Sequence, residues 1–249
     1  MNKSLLFIII LILIIIFIIG ISSLTIYYTP NYSVPETKID SYKYMSDKYI
    51  SHTKLIKSIN DLIDIKYPIV IKPNNGYMGI DVHVLKNKTE AFNFYNKNNK
   101  PNNYVIQQYH PGPYEVGLYY IRLPYKNRGY IFNLVLKKNP ILVQRDKWEP
   151  LTCGTSQTCT RQMNWVTPIL TDTIDKISKN IPNFYIGRYD IRFSNIDDFK
   201  NAKNFIILEV NPGNASPTMK NLQNYKYSKM DVIKYKLLRT YISILTRII

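Results

Sequence analysis

Arg188-Tyr-Asp190-Ile-Arg192 and Glu209-Val-Asn211 alternate charged or amide residues with apolar and aromatic ones. Side chains two apart on a strand share a face, so Arg188, Asp190 and Arg192 are expected together, as are Glu209 and Asn211. The lead-in Phe205-Ile-Ile-Leu208 is apolar enough for a core strand. Charges on such strands must be paired or liganded, because burying them alone is costly. Two carboxylates and an amide oxygen suit a hard cation such as Mg²⁺, and two guanidinium groups suit a phosphate or a carboxylate. The pattern predicts a metal–nucleotide site. The bland alternative, a salt-bridge network between neighbouring strands, leaves the Asn two residues after the Glu unexplained.

Other elements must hold these side chains in place. Tyr67 to Pro73 reads as a strand, followed by a turn through Gly76 and Gly79 and a second strand over Ile80 to Leu85. Lys88 to Asn98 reads as a helix, and Tyr104 to Gln108 as a strand entering a Pro/Gly turn at 111–113. Glu115 to Arg122 and Tyr130 to Lys138 are expected to pair as strands, with a helix over Asp172 to Asn180. Apolar spacing at Leu55, Ile56, Ile59, Leu62 and Ile63 predicts a short amphipathic helix within 51–65. A stripe at Met230, Ile233, Leu237, Leu238, Tyr241 and Leu245 predicts a C-terminal helix that packs onto the sheet through those residues. The sum is an α+β domain of mainly antiparallel strands with helices on one side.

In this order the pieces resemble the ATP-grasp superfamily, and most of all bacterial carboxylate–amine ligases related to the D-alanine–D-alanine ligases. The likeness runs from about Tyr67 to Met219. It rests on Pro68-Ile-Val-Ile-Lys72-Pro73, Gln107-Gln-Tyr-His-Pro-Gly112-Pro-Tyr-Glu115, Phe184-Tyr-Ile-Gly-Arg188-Tyr-Asp190-Ile-Arg192 and Leu208-Glu209-Val-Asn211. It implies ATP and one or two Mg²⁺ ions, with Asp190, Glu209 and Asn211 as metal ligands. It further implies Lys72 and Lys137 (or Lys138, one position on) at the phosphates, and a loop through Gly76 and Gly79 covering them. Gln107 and Gln108 fall at the adenine hinge, where a carboxylate is usual, and Glu115 matches the ribose-binding acid. Arg188 matches the arginine that stabilises the acyl phosphate and the later tetrahedral intermediate, and Arg192 is assigned to the acceptor carboxylate. The implied reaction activates a carboxylate with ATP for attack by an amine or a thiol; the substrates are small carboxylates and amines, or a protein or peptide. The residues between the apolar run and the core read as a linker, so the usual preceding substrate-binding domain is not expected. The 140–170 segment with the C-terminal tail, or another chain, would then bind substrate, unless the chain is a reduced relative. A nucleotide-binding pseudoenzyme is therefore the second reading.

The chain has 249 residues, and the run Leu5 to Leu24 carries no charge. That length crosses a bilayer core, which predicts a single transmembrane helix in an anchor of residues 1–28, a linker at 29–50 and the domain at 51–249. Flanking charges leave the orientation open; a need for ATP places the domain on the cytosolic side of its membrane. The net charge is +16. Its Lys is dispersed along the chain with Asn, Ile and Tyr, as in AT-rich genomes, cellular or viral. No compact basic run marks a nucleic-acid tail. A third reading, a basic membrane protein binding nucleic acid or anionic lipid, leaves the metal triad without a use. Cys153 and Cys159 stand too far from any His for a zinc site; a small-loop disulfide and incidental cysteines are the alternatives. Asn31, Asn87 and Asn214 begin glycosylation triplets, which an Asn-rich chain supplies by chance.

Overall fold

The computed structural model describes residues 35, 37–76, 80–98, 103–138, 158–213 and 215–248, together with Leu6, Ile9, Ile10, Ile12 and Leu13, which are helical. Among the described residues no helix is long and apolar enough to cross a membrane. The rest of the expected anchor, Gly79, Cys153 and Asn214 lie outside them.

Two antiparallel sheets face each other across the site. The smaller has the order β1-β4-β2-β3, formed by β1 (Thr53–Leu55), β2 (Ile69–Pro73), β3 (His83–Leu85) and β4 (Tyr104–Gln108). Ile69, Ile71 and Ile106 point to a core shared with Ala91, Phe94 and Tyr95 of the helix Lys88–Lys97. That helix starts where Asn87 accepts from the Glu90 N–H and the Glu90 carboxylate accepts from the Lys86 N–H. Alternation then sends Lys72 and Gln107 to the opposite face, toward the second sheet.

The larger sheet has the order β7-β6-β5-β8-β9, formed by β5 (Tyr114–Ile121), β6 (Tyr130–Lys138), β7 (Thr158–Arg161), β8 (Ile186–Phe193) and β9 (Phe205–Asn211). Val116, Leu118 and Tyr120 face a core with the helix Pro168–Asn180, whose Leu170, Ile174 and Ile177 are buried at i, i+4 and i+7. Thr167 caps this helix at the Leu170 N–H, and Pro168 sits where no N–H is needed. Asp175 on the same helix takes the Tyr120 hydroxyl at 2.6 Å, the Gly129 N–H at 2.8 Å and Lys179 at 2.7 Å. Tyr119 and Ile121, of opposite parity, face a third cluster with the helix Lys229–Ile248.

Several expectations are corrected here. Helices cover both faces of the large sheet, because β5 is apolar on both sides over Leu118–Ile121. Within 51–65 the chain forms β1 and one 3₁₀ turn, Ile59–Leu62, instead of an amphipathic helix. Thr53 to Leu55 find an edge partner in β4, and the Asp61 carboxylate captures the N–H groups of Lys57 and Ser58. The later part of the expected linker is folded: Lys38–Tyr42 is a short helix capped by Thr37, and Tyr42 and Met45 are buried in the main core. The C-terminal helix packs through Val232, Tyr235, Leu238 and Ile242, whereas Met230, Ile233, Leu237 and Tyr241 of the expected stripe are exposed.

Candidate functional site

β8 and β9 place Asp190 directly opposite Glu209, and Arg188 opposite Asn211. Such pairs have Cβ atoms roughly 5 Å apart. A bulge makes the arrangement possible. Asp190 pairs with Glu209 but Ile191 pairs with Ile207, so Leu208 is the extra residue. Phe205 and Ile207 point into the core. Without the bulge, plain alternation would send Glu209 and Asn211 the same way; with it, Val210 takes the core side and the polar pair faces the site. Gly187 lets the strands approach here, since a Cβ on it would stand 2.5 Å from the Asn211 carbonyl oxygen.

β5 and β6 complete the large-sheet half. Glu115 lies opposite Lys137 on one side and Arg192 on the other. Its Oε1 accepts from Lys137 Nζ at 2.8 Å and its Oε2 from Arg192 Nη2 at 2.5 Å. Lys137 also reaches Asp190 Oδ1 at 3.3 Å. Arg188 donates through Nε and Nη2 to the two Asp190 oxygens at 3.1 and 3.2 Å, and Nη1 reaches the Ser216 carbonyl. Asn211 Nδ2 donates to Asp190 Oδ2 at 3.3 Å, so a cation taking the amide oxygen needs the side chain turned over. Lys137 of β6 thus joins the cluster. Arg192 is buried, and its Nη1 and Nη2 donate to the His110 carbonyl and to Glu115.

The small sheet supplies Lys72. Its Nζ donates to Gln107 Oε1 at 2.9 Å, to the Leu208 carbonyl at 3.0 Å and to the Tyr42 hydroxyl at 3.4 Å. The bulge that turns Glu209 toward the site therefore also offers Lys72 an acceptor. Gln107 and Gln108 part company, as neighbours on a strand must. Gln107 faces the site, while the Gln108 amide donates to the Pro68 carbonyl. Gly76 closes the turn after β2, and its carbonyl accepts from Lys38 Nζ.

Lys38 and Tyr42 are site residues that the sequence reading missed. Lys38 Nζ lies 3.3 Å from Glu209 Oε1, and Tyr42 donates its hydroxyl to the Leu208 carbonyl at 2.6 Å. Their i, i+4 spacing on one helical face was the available signal; it sat in a stretch read as linker.

Among the described residues five cations (Lys38, Lys72, Lys137, Arg188 and Arg192) stand against three carboxylates (Glu115, Asp190 and Glu209), an excess of two positive charges. Burial works against ionising Asp190, but Arg188 and Lys137 outweigh it and hold the carboxyl at about 2. Glu115 is lowered in the same way: burial opposes, Lys137 and Arg192 prevail. Burial pulls Lys72 down to about 8, with Glu209 the largest charge working in the other direction. Lys137 is raised, because Asp190 and Glu115 overcome its burial. Among the described residues no three His, Cys, Asp or Glu side chains gather as a metal site. The oxygen donors available to a cation are the expected Asp190, Glu209 and Asn211, a set suited to Mg²⁺. Cys159 is buried on β7 and disulfide-bonded, a correction to the incidental reading.

Solved structures share this architecture. The L-amino acid ligase from Bacillus licheniformis matches with a TM-score of 0.55 at 12% identity, over 82% of this chain and 47% of that one. VanG, the D-Ala:D-Ser ligase from Enterococcus faecalis, matches at 0.55 and 13% over 85% and 61%. The ATP-grasp ligase PsnB, solved with a precursor variant, Mg and ADP, matches at 0.56 and 13% over 89% and 62%. The chain therefore has the ATP-grasp fold, and it spans about half to three-fifths of these ligases. No protein-family model matches the chain, and no curated protein sequence does.

Proposed function

We propose that this ATP-grasp chain is a membrane-anchored ligase that uses ATP and Mg²⁺ to activate a carboxylate for attack by an amine or thiol. The observation that carries the reading is the juxtaposition of Asp190, Glu209 and Asn211 with Lys72 and Lys137 in a cluster of net charge two positive. ATP with one Mg²⁺ carries about two negative charges, which matches the excess among the described residues. A purely electrostatic binder has no use for the oxygen set.

In this reading Lys72 and Lys137 contact the phosphates, and backbone groups between Gln107 and Gly112 hold the base. Glu115, kept ionised and aimed by Lys137 and Arg192, accepts from the ribose hydroxyls. Asp190, Glu209 and Asn211 would hold one or two Mg²⁺ ions, which supply charge neutralisation on the phosphoryl group being transferred. A substrate carboxylate oxygen attacks the γ-phosphorus and ADP leaves; the amine then attacks the acyl carbon and inorganic phosphate leaves. Arg188, partly exposed and fixed by Asp190, stabilises the negative charge that develops in both steps. Positioning and charge carry the catalysis.

One observation favours the second reading, a nucleotide-binding pseudoenzyme: Lys38 neutralises Glu209, one of the oxygens that a cation would use. Residues 30–249 heated with and without Mg²⁺ and ATP separate the readings. Stabilisation by both together, lost in Asp190→Asn and Glu209→Gln, supports the ATP site, and its absence overturns it. Stabilisation without phosphate release across a panel of carboxylates and amines selects the pseudoenzyme. The apolar run at 5–24 supports the anchor. ATP supply argues for the cytosolic side, and the disulfide at Cys159 for an oxidising one. Protease protection of the domain in sealed membranes decides between them.

A further inference from the structure

The helix Lys229–Ile248 has a face that the other described residues leave exposed. Tyr235 and Ile242 are buried against the large sheet, with Val232 and Leu238 beside them. At roughly 100° per residue, Met230, Ile233, Leu237, Tyr241 and Ile244 fall within about 80° of one another, roughly 150° from the buried side. All five are between 45% and 57% exposed.

Charge frames this stripe. Lys229 and Lys236 lie about 90° to one side and Lys234 about 60° to the other, by the same turn angle, and all three are exposed. Asp231 is the only acid between Lys226 and Ile249. It sits toward the buried side, where Ser228 engages its carboxylate. The turn after β5 brings a further aromatic, Tyr125, beside Tyr241, with Lys126 Nζ 5.5 Å from the Tyr125 ring centre.

We propose that this face rests on an anionic lipid surface, with the apolar stripe at the acyl boundary. Lys229, Lys234 and Lys236 would extend their stems along it and place their ammonium groups among the headgroups. Tyr125 and Tyr241 suit the interface, where a ring is partly apolar and its hydroxyl wet. A second copy of the chain is a poorer occupant: a twofold contact would set the same lysines against one another with no acid to pair them. The inference goes beyond the nucleotide reading and does not depend on it.

The test places Trp at Tyr241 (Tyr241→Trp) in the full chain, reconstituted with brominated lipids, the parent protein providing the background of Trp148 and Trp165. Vesicles of phosphatidylcholine with phosphatidylserine should blue-shift and quench the added Trp, and high salt should reverse the effect. Phosphatidylcholine alone should leave it unquenched, as should the Lys229→Glu/Lys234→Glu/Lys236→Glu variant in mixed vesicles. Circular dichroism and Mg·ATP stabilisation should match the parent in that variant, which separates loss of docking from loss of folding or of the nucleotide site. Equal quenching in neutral vesicles overturns the proposal, since the N-terminal run alone would then account for proximity. A Trp that stays unquenched in every vesicle overturns it too, as does one shielded in concentration-dependent dimers.

Discussion

Lys72 on the small sheet holds the Leu208 carbonyl on the large sheet at 3.0 Å. One buried ammonium thus joins the two halves of the site, and it does so at the bulge that turns Glu209 toward it. The contact makes nucleotide binding and proton binding the same question.

Burial lowers Lys72 from 10.5 to about 8. The unfolded chain therefore holds more protons than the folded one between those values, and the stability of the free domain should rise as pH climbs through that window. A polyphosphate favours the ammonium, so binding of Mg·ATP near pH 8 to 9 should take up a proton and weaken as pH rises further. Titration calorimetry in two buffers of different ionisation enthalpy reads this directly. Identical heats in both buffers would show that Lys72 does not face the phosphates.

Asp190 has the opposite sign. Its carboxyl is lowered from 3.8 to about 2, so its contribution is complete above the unfolded value and disappears as pH falls toward 2. Asp190→Asn should cost on the order of 3 kcal/mol at pH 7, because Arg188 and Lys137 lose their counter-ion. Parent and variant should converge in acid. Urea melts at pH 7 and pH 3 test both halves; a gap of the same size at both would remove Asp190 from the linkage.

The boundary of the folded unit lies before Lys38. Tyr42 is 4% exposed and its hydroxyl also accepts from Gln107 Nε2 at 3.3 Å. Tyr42→Phe should cost about 1–3 kcal/mol, since the Leu208 carbonyl and Gln107 each lose a partner. A chain beginning at residue 35 should melt cooperatively, and one beginning at residue 46 should not. Equal melts for the two would return residues 37–45 to the linker.

The strands rich in Ile, Val, Leu and Tyr were readable, from Ile69–Pro73 to the paired β5 and β6, because their short apolar runs are bounded by turn residues. The face of Glu209 and Asn211 was read from their own spacing, yet the strand's apolar lead-in has the same parity. Only the bulge at Leu208 reconciles the two, and nothing in Phe-Ile-Ile-Leu signals it. At 51–65 the apolar spacing fitted a helix, but a three-residue edge strand and the Asp61 cap satisfied the backbone first. β7, Thr-Cys-Thr-Arg, carries no apolar alternation at all and exists because β6 offers it an edge. On the C-terminal helix the apolar residues surround more than one face, so composition could not say which of them the sheet would take.

Lys38 offers the sharpest separation of roles in the site. Its ammonium is 3.3 Å from Glu209 and bonds the Gly76 carbonyl, with a side chain only 11% exposed. Beside Glu209 it supplies charge of the kind a metal cation would supply. Lys38→Met should therefore strengthen binding of Mn²⁺ or Mg²⁺ without nucleotide, by about fivefold if one ion pair worth about 1 kcal/mol is removed. The same substitution should weaken ATP, because a phosphate loses a cation next to the glycine turn. Calorimetric titration with Mn²⁺ alone, then with ATP at saturating metal, reads the two effects separately. Opposite signs identify Lys38 as counter-ion and phosphate contact together. Weaker binding in both titrations would make it a structural tie between the Lys38–Tyr42 helix and β9.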